Sequence, residues 1–306
     1  MSITASGERP ITPAHRLMRV FALVRYRFFL YAGLLPYLLG AAWAWAMAGA
    51  FDPAIFWSAF GGVVLSVIGV EAFNEYFDAR MGTDRVFNPE DVPPIAQAVF
   101  WIGSAAFAAA LAIGIYLAYR LGWPILAFAL AGGAAAIFYE APPIRWSYRG
   151  LGELAIALSY GPWMVLGSLY LHTRALSWPA VLASFIPACF IMALAVVNAI
   201  PDFHQDRLVG KRNLVVRLGR ERAVRLYLGL AAGGLLIPLA GVIAGVFPMT
   251  SLATFLALPL VVHSARCALR YHSSPRQFLP AMRAMVIAYV VGTAAFTLAI
   301  LAQGLR

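Results

Sequence analysis

Apolar runs of about twenty residues alternate with short polar breaks along the whole chain, long enough to cross ~30 Å of hydrocarbon as helices. Nine are legible, with centres near residues 38, 65, 108, 130, 161, 190, 235, 260 and 292. The breaks carry charge, Pro or Gly: Phe51-Asp52-Pro53, Leu121-Gly122-Trp123-Pro124, Ala141-Pro142-Pro143, Ser177-Trp178-Pro179 and Phe247-Pro248. The pattern predicts an all-α fold. It is a polytopic membrane bundle of nine transmembrane helices, forming a single domain over residues 1–306 with a central cavity open to the cytoplasmic side.

Composition excludes a soluble domain: 62% of residues are hydrophobic, 12% are charged, and mean hydropathy is +0.79. Positive charge sets the orientation. With a cytoplasmic N-terminus, the tail and the turns after spans 2, 4, 6 and 8 gather all of the 23 Lys+Arg residues except Arg120, Arg174 and Arg306. The net charge of +10 is then mostly topological and requires no nucleic acid partner. The expected partner is the lipid bilayer, in a multi-pass protein of a bacterial-type inner membrane. Residues 1–20, polar and basic, read as a cytoplasmic tail rather than a cleavable leader. Cys189 and Cys267 fall inside predicted spans, without the spacing of a metal or disulfide framework.

Two acidic segments of similar build close spans 2 and 6, a weak internal repeat. The first reads Asn74-Glu75-Tyr76-Phe77-Asp78-Ala79-Arg80-Met81-Gly82-Thr83-Asp84; the second reads Asn198-Ala199-Ile200-Pro201-Asp202-Phe203-His204-Gln205-Asp206. Carboxylates at a membrane boundary are costly and mark function. Glu71, Asn74, Glu75 and Asp78 share one helix face, and Gly82 permits a turn that returns Asp84. Asn198, Asp202 and Asp206 stand at i, i+4 and i+8, again on one face, and Pro201 predicts a kink in that helix.

Like-charged carboxylates repel, and a cation removes that penalty. All-oxygen donors, Asp78, Asp84, Asp202, Asp206 and Glu75, suit Mg2+. Zinc is disfavoured, since His204 is the nearby imidazole. Gly210-Lys211 lacks the rest of a P-loop fingerprint, having Gln205 and Arg212 where Gly and Ser/Thr are required. Arg80, Arg85, Arg207, Lys211 and Arg212 flank the acids, and such groups bind phosphate oxygens. Carboxylates, metal and basic groups at a bilayer boundary point to a lipid diphosphate. A cation or proton transporter also uses intramembrane acids, but its site normally lies near the midplane in interrupted helices.

At these residues the chain resembles the UbiA superfamily of intramembrane prenyltransferases, through both Asp motifs, the nine spans, and Arg25, Arg27 and Pro36. Within it, the chain is most similar to the 1,4-dihydroxy-2-naphthoate polyprenyltransferases. The stretches are Asn74-x3-Asp78-x3-Gly82-x-Asp84, Tyr139-x2-Pro142-Pro143, Tyr148-Arg149-Gly150-Leu151-Gly152-Glu153 and Gly210-Lys211-Arg212-x-Leu214. It departs in Glu75, where Asp is usual, in Pro201, where Arg is usual, and in lacking a basic Arg-Pro element after Asp84.

The resemblance implies Mg2+-dependent transfer of a polyprenyl group from its diphosphate to an aromatic acceptor, 1,4-dihydroxy-2-naphthoate in menaquinone synthesis, with loss of the acceptor's carboxylate. Other acceptors stay open: 4-hydroxybenzoate, homogentisate, a tetrapyrrole or a sugar phosphate. Asp78, Asp84, Asp202 and Asp206, with Asn74 and Asn198, would hold metal and diphosphate. Lys211 and Arg149 would stabilise the departing charge, helped by Arg80 and Arg207. Tyr139 and Tyr148 would face the allylic cation.

Overall fold

A computed structural model describes the backbone of residues 26–81 and 97–305, and the side chains of 32–77 and 97–305. Of the expected site residues, Asp84 and the side chains of Asp78 and Arg80 lie outside the described residues, as do the tail and Arg25.

Among the described residues the fold is all helical. In chain order the helices are α1 (Tyr26–Ala48), α2 (Pro53–Met81), α3 (Gln97–Leu121), α4 (Pro124–Glu140), α5 (Gly152–Leu158), α6 (Met164–Thr173) and α7 (Trp178–Ala199). Then come two short helices, α8 (Phe203–Leu208) and α9 (Leu214–Leu218), followed by α10 (Arg220–Ile243), α11 (Leu258–Tyr271) and α12 (Pro275–Leu301). Among the described residues seven helical stretches are long and apolar enough to cross a membrane; Ala32–Ala48 and Pro124–Glu140 are shorter apolar helices. The chain is a multi-pass integral membrane protein.

Sequence chemistry explains the boundaries. Pro53 opens α2, and Asp52 Oδ1 accepts the N–H groups of Ala54 (2.8 Å) and Ile55 (3.1 Å), a side-chain cap. Pro162 lies in the π turn Ser159–Trp163 that joins α5 to α6, where its missing N–H loosens the regular ladder.

The core is built around α7. Its Ile186, Phe190, Leu194 and Val197 are fully buried. Phe190 sits between Gly234 of α10 and Gly292 of α12, where an added Cβ would stand 2.6 and 2.8 Å from the ring. The two helices therefore close on a large aromatic without a void. The α1–α6 side is different. Those helices enclose a cavity of about 560 Å³ whose walls include Gly62, Gly132, Gly133, Ala134, Ala136 and Gly167.

Candidate functional site

The cavity is largely apolar, and one end of it carries the chemistry. Asn74 on α2 and Tyr139 on α4 line it. So does Ala59, fifteen positions before Asn74, which makes the cavity about 22 Å deep at 1.5 Å per residue. At the far end Tyr37 Oη donates to the Phe56 carbonyl (2.7 Å), and Ser168 Oγ donates to the Tyr37 carbonyl (2.7 Å). Ser159, Tyr160 and Trp163 of the π turn form part of the wall, so the irregular backbone faces the space the site uses.

Next to Tyr139, the last residue of α4 is Glu140, 2% exposed. Its Oε1 lies 3.1 Å from Lys211 Nζ, an ion pair spanning 71 residues of sequence. Through it the second acidic segment reaches the α4 end of the cavity. Glu140 Oε2 and Asn74 Oδ1 are both buried without a hydrogen-bond partner among the described residues.

The second segment is not one helix. α7 ends at Ala199, a turn covers 200–202, and α8 restarts at Phe203. Pro201 has no N–H for the carbonyl four residues back, so the ladder stops there. The Ile200 carbonyl accepts from Arg220 Nε (3.3 Å) as well as from the Phe203 N–H (3.5 Å). The expected single face for Asn198, Asp202 and Asp206 is therefore replaced by a corner. Asn198 is half-buried on α7, Asp202 is exposed at the start of α8, and Asp206 is buried within α8.

Asp206 Oδ2 accepts a hydrogen bond from Asn213 Nδ2 at 2.6 Å. Burial pushes the Asp206 carboxyl up to about 6; Lys211 and the Asn213 hydrogen bond act against the rise, while Asp202 and Glu140 add to it. The backbone N–H of Lys211 bonds the Asp206 carbonyl (2.8 Å), closing the loop between them.

The 141–151 loop packs on this segment. Tyr148 places its carbonyl 3.3 Å from the Arg212 N–H. Its ring lies under the Arg145 guanidinium, 3.9 Å from carbon to centroid, with Lys211 Nζ at 5.8 Å. Gly150 has a φ of +74°, and an added Cβ would stand 2.4 Å from Arg217 Nε, so both conformation and contact call for glycine. Glu153, 4% exposed, receives the Leu214 N–H on Oε1 at 3.0 Å. The Tyr148–Glu153 stretch is thus the surface on which the Lys211 loop rests.

Of the other expected residues, Glu75 is half-buried on α2 and Arg207 is exposed on α8. Arg149 is exposed, with its guanidinium donating to the Pro143 carbonyl (3.0 Å). Glu140, Arg145 and Asn213 belong to the site and are absent from the sequence-based set. Their spacing carries no signal, because their partners come from other segments.

The donor chemistry fits a hard divalent cation: oxygen donors, two of them buried without partners among the described residues, and a carboxyl that burial raises. No group of three His, Cys, Asp or Glu side chains with metal-holding geometry occurs among the described residues, which leave out Asp78 and Asp84 side chains.

Comparisons with known proteins follow the same lines. The UbiA prenyltransferase family matches residues 33–290. A 1,4-dihydroxy-2-naphthoate octaprenyltransferase of Escherichia coli is 30% identical over 250 residues, 76% of this chain and 79% of the relative. A UbiA homolog from Aeropyrum pernix superposes with a TM-score of 0.64 at 19% identity, covering 86% of this chain and 96% of that one. A UbiA homolog from Archaeoglobus fulgidus, solved bound to GPP and Mg2+, superposes with a TM-score of 0.55 at 17% identity, over 88% and 98%.

Proposed function

The chain belongs to the UbiA prenyltransferase family and is a prenyltransferase; from that premise we propose that it transfers a polyprenyl group from its diphosphate to 1,4-dihydroxy-2-naphthoate. One observation carries the reading. A deep apolar cavity ends at Asn74 and Tyr139, beside Glu140, Lys211 and Asp206. An apolar tail lies in the cavity, and its charged head meets the polar end. The acceptor is argued from the naphthoate-specific relative at 30% identity. The metal is argued from the Archaeoglobus fulgidus neighbour and from the donor set.

In this reading Asp78, Asp84, Asp202 and Asp206, with Glu75, Asn74 and Asn198, hold Mg2+. An ion held there would supply positive charge against the charge that builds on the diphosphate. Lys211, Arg149, Arg80 and Arg207 bind diphosphate oxygens, and Arg145 adds a further guanidinium at the same end. The bond from prenyl C1 to oxygen breaks and diphosphate leaves with the electron pair; a carbon–carbon bond to the acceptor ring forms, and the ring's carboxylate departs as carbon dioxide. Tyr139 and Tyr148 offer ring faces to the positive charge on C1, worth up to about 2 kcal/mol where water is excluded.

The topology belongs to the same proposal. Counting Ala32–Ala48 and Pro124–Glu140 with the seven longer spans gives nine crossings. In this proposal the N-terminus and the site lie on the cytoplasmic side of an inner membrane, a reading that the charge asymmetry supports.

The test supplies purified protein with a prenyl diphosphate, Mg2+ and a panel of aromatic acceptors, and reads products by mass spectrometry. Prenylated naphthoquinol as the main product supports the reading. Product from another acceptor, with none from dihydroxynaphthoate, overturns it.

A further inference from the structure

Lys211 is surrounded by more buried negative charge than it neutralises. Glu140, Glu153 and Asp206 are 2%, 4% and 6% exposed. Lys211 stands within electrostatic range of Asp206 and Glu153, yet its ammonium lies on Glu140 Oε1. The alternative partner is close at hand. The Lys211 N–H already bonds the Asp206 carbonyl, and a lysine side chain has a flexible four-carbon stem. A half-buried ammonium deprived of one carboxylate turns to another, because an unpaired charge away from water is costly. Two features hold the present arrangement. Glu140 is fixed at the end of α4, and the Leu214 N–H on Glu153 Oε1 fixes the backbone beyond Lys211.

We propose that Glu140 is a positioning residue that acts through Lys211: by taking the ammonium, it keeps Lys211 off Asp206 and leaves that carboxylate to a divalent cation. The inference rests on the metal-diphosphate reading above. Asp206 already gives Oδ2 to Asn213, so a lysine on the same carboxylate would compete directly with a cation. A loss of Glu140 then weakens the metal first, and only where Lys211 is present.

The experiment measures metal binding without turnover. Metal-free protein in detergent is titrated with Mg2+ while its thermal unfolding midpoint is followed, and Mn2+ occupancy is read by electron paramagnetic resonance. Glu140→Gln raises the Mg2+ concentration for half-maximal stabilisation about tenfold, by analogy with other groups that orient metal ligands. Glu140→Gln combined with Lys211→Met returns it to the value of Lys211→Met alone. Glu140→Ala, read the same way, covers the case in which a buried amide prevents folding. Wild-type affinity in the Glu140 variants overturns the inference. An equal loss with and without Lys211 also overturns it, since Glu140 would then be a ligand. Absence of any Mg2+ response and of prenyl transfer in the wild-type protein sinks the underlying reading instead.

Discussion

Asn213 joins two roles in one side chain: its Nδ2 donates to Asp206 Oδ2 at 2.6 Å, and its Oδ1 accepts the Val216 N–H at 2.8 Å. The second bond caps α9, so the orientation of the acidic side chain is coupled to the start of a helix. Asn213→Ala removes both bonds. Loss of the cap costs about 1 kcal/mol of stability, and loss of the Asp206 contact lowers Mg2+-dependent transfer about tenfold or more. Thermal unfolding and the Mg2+ dependence of kcat/KM measure the two effects. Wild-type metal dependence in this variant would contradict the role given to Asp206.

Asp206 predicts a pH signature. Its carboxyl is raised from 3.8 to about 6 in the folded chain. Between those values the folded state keeps a proton that the unfolded state has released. That stabilisation is complete below about pH 4 and is lost as pH rises through 6. The unfolding midpoint of metal-free protein therefore falls more steeply over about pH 4 to 7 in wild type than in Asp206→Asn. Added Mg2+ opposes the fall in wild type, replacing the proton. Parallel profiles for the two proteins would refute the assignment.

The cavity predicts donor selectivity. Gly133 lines it, and an added Cβ there meets nothing within 4 Å. Gly133→Leu therefore fits the helix while reducing the space for a tail. The ratio of kcat/KM for a long prenyl diphosphate over a ten-carbon one drops about tenfold, with the unfolding midpoint at or above wild type, since glycine is a poor helix former. An unchanged ratio would place the tail elsewhere.

Much of this was readable before any fold was known. The two acidic segments, Lys211 and the apolar runs announce themselves through local patterning: charge is rare in the chain, and a helix face follows from spacing. Glu140 did not announce itself, although it is as buried as any carboxylate here. Its meaning comes from a lysine 71 residues away, and no periodicity records that contact. Asn213 was hidden between two basic residues and Leu214 for the same reason. The Ala/Gly-rich run from 132 to 136 lines the cavity, because small side chains leave room beside the helix. Pro201 predicted a kink, and the chain turns a full corner there, with Arg220 bonding the Ile200 carbonyl at the turn. The Tyr148-Arg149-Gly150 stretch carried a resemblance without a reason. The reason is the bed it forms for the Lys211 loop, with Gly150 against Arg217.

The central claim is that the two acidic segments act together on a prenyl diphosphate. Its most direct test is transfer of a radiolabelled prenyl group to dihydroxynaphthoate by wild type, Asp78→Ala and Asp202→Ala, each with Mg2+ or with EDTA. The account predicts labelled product from wild type with Mg2+ alone, and losses of about a hundredfold or more in both variants while they remain folded. Undiminished transfer by either variant, or transfer by wild type in EDTA, would contradict it.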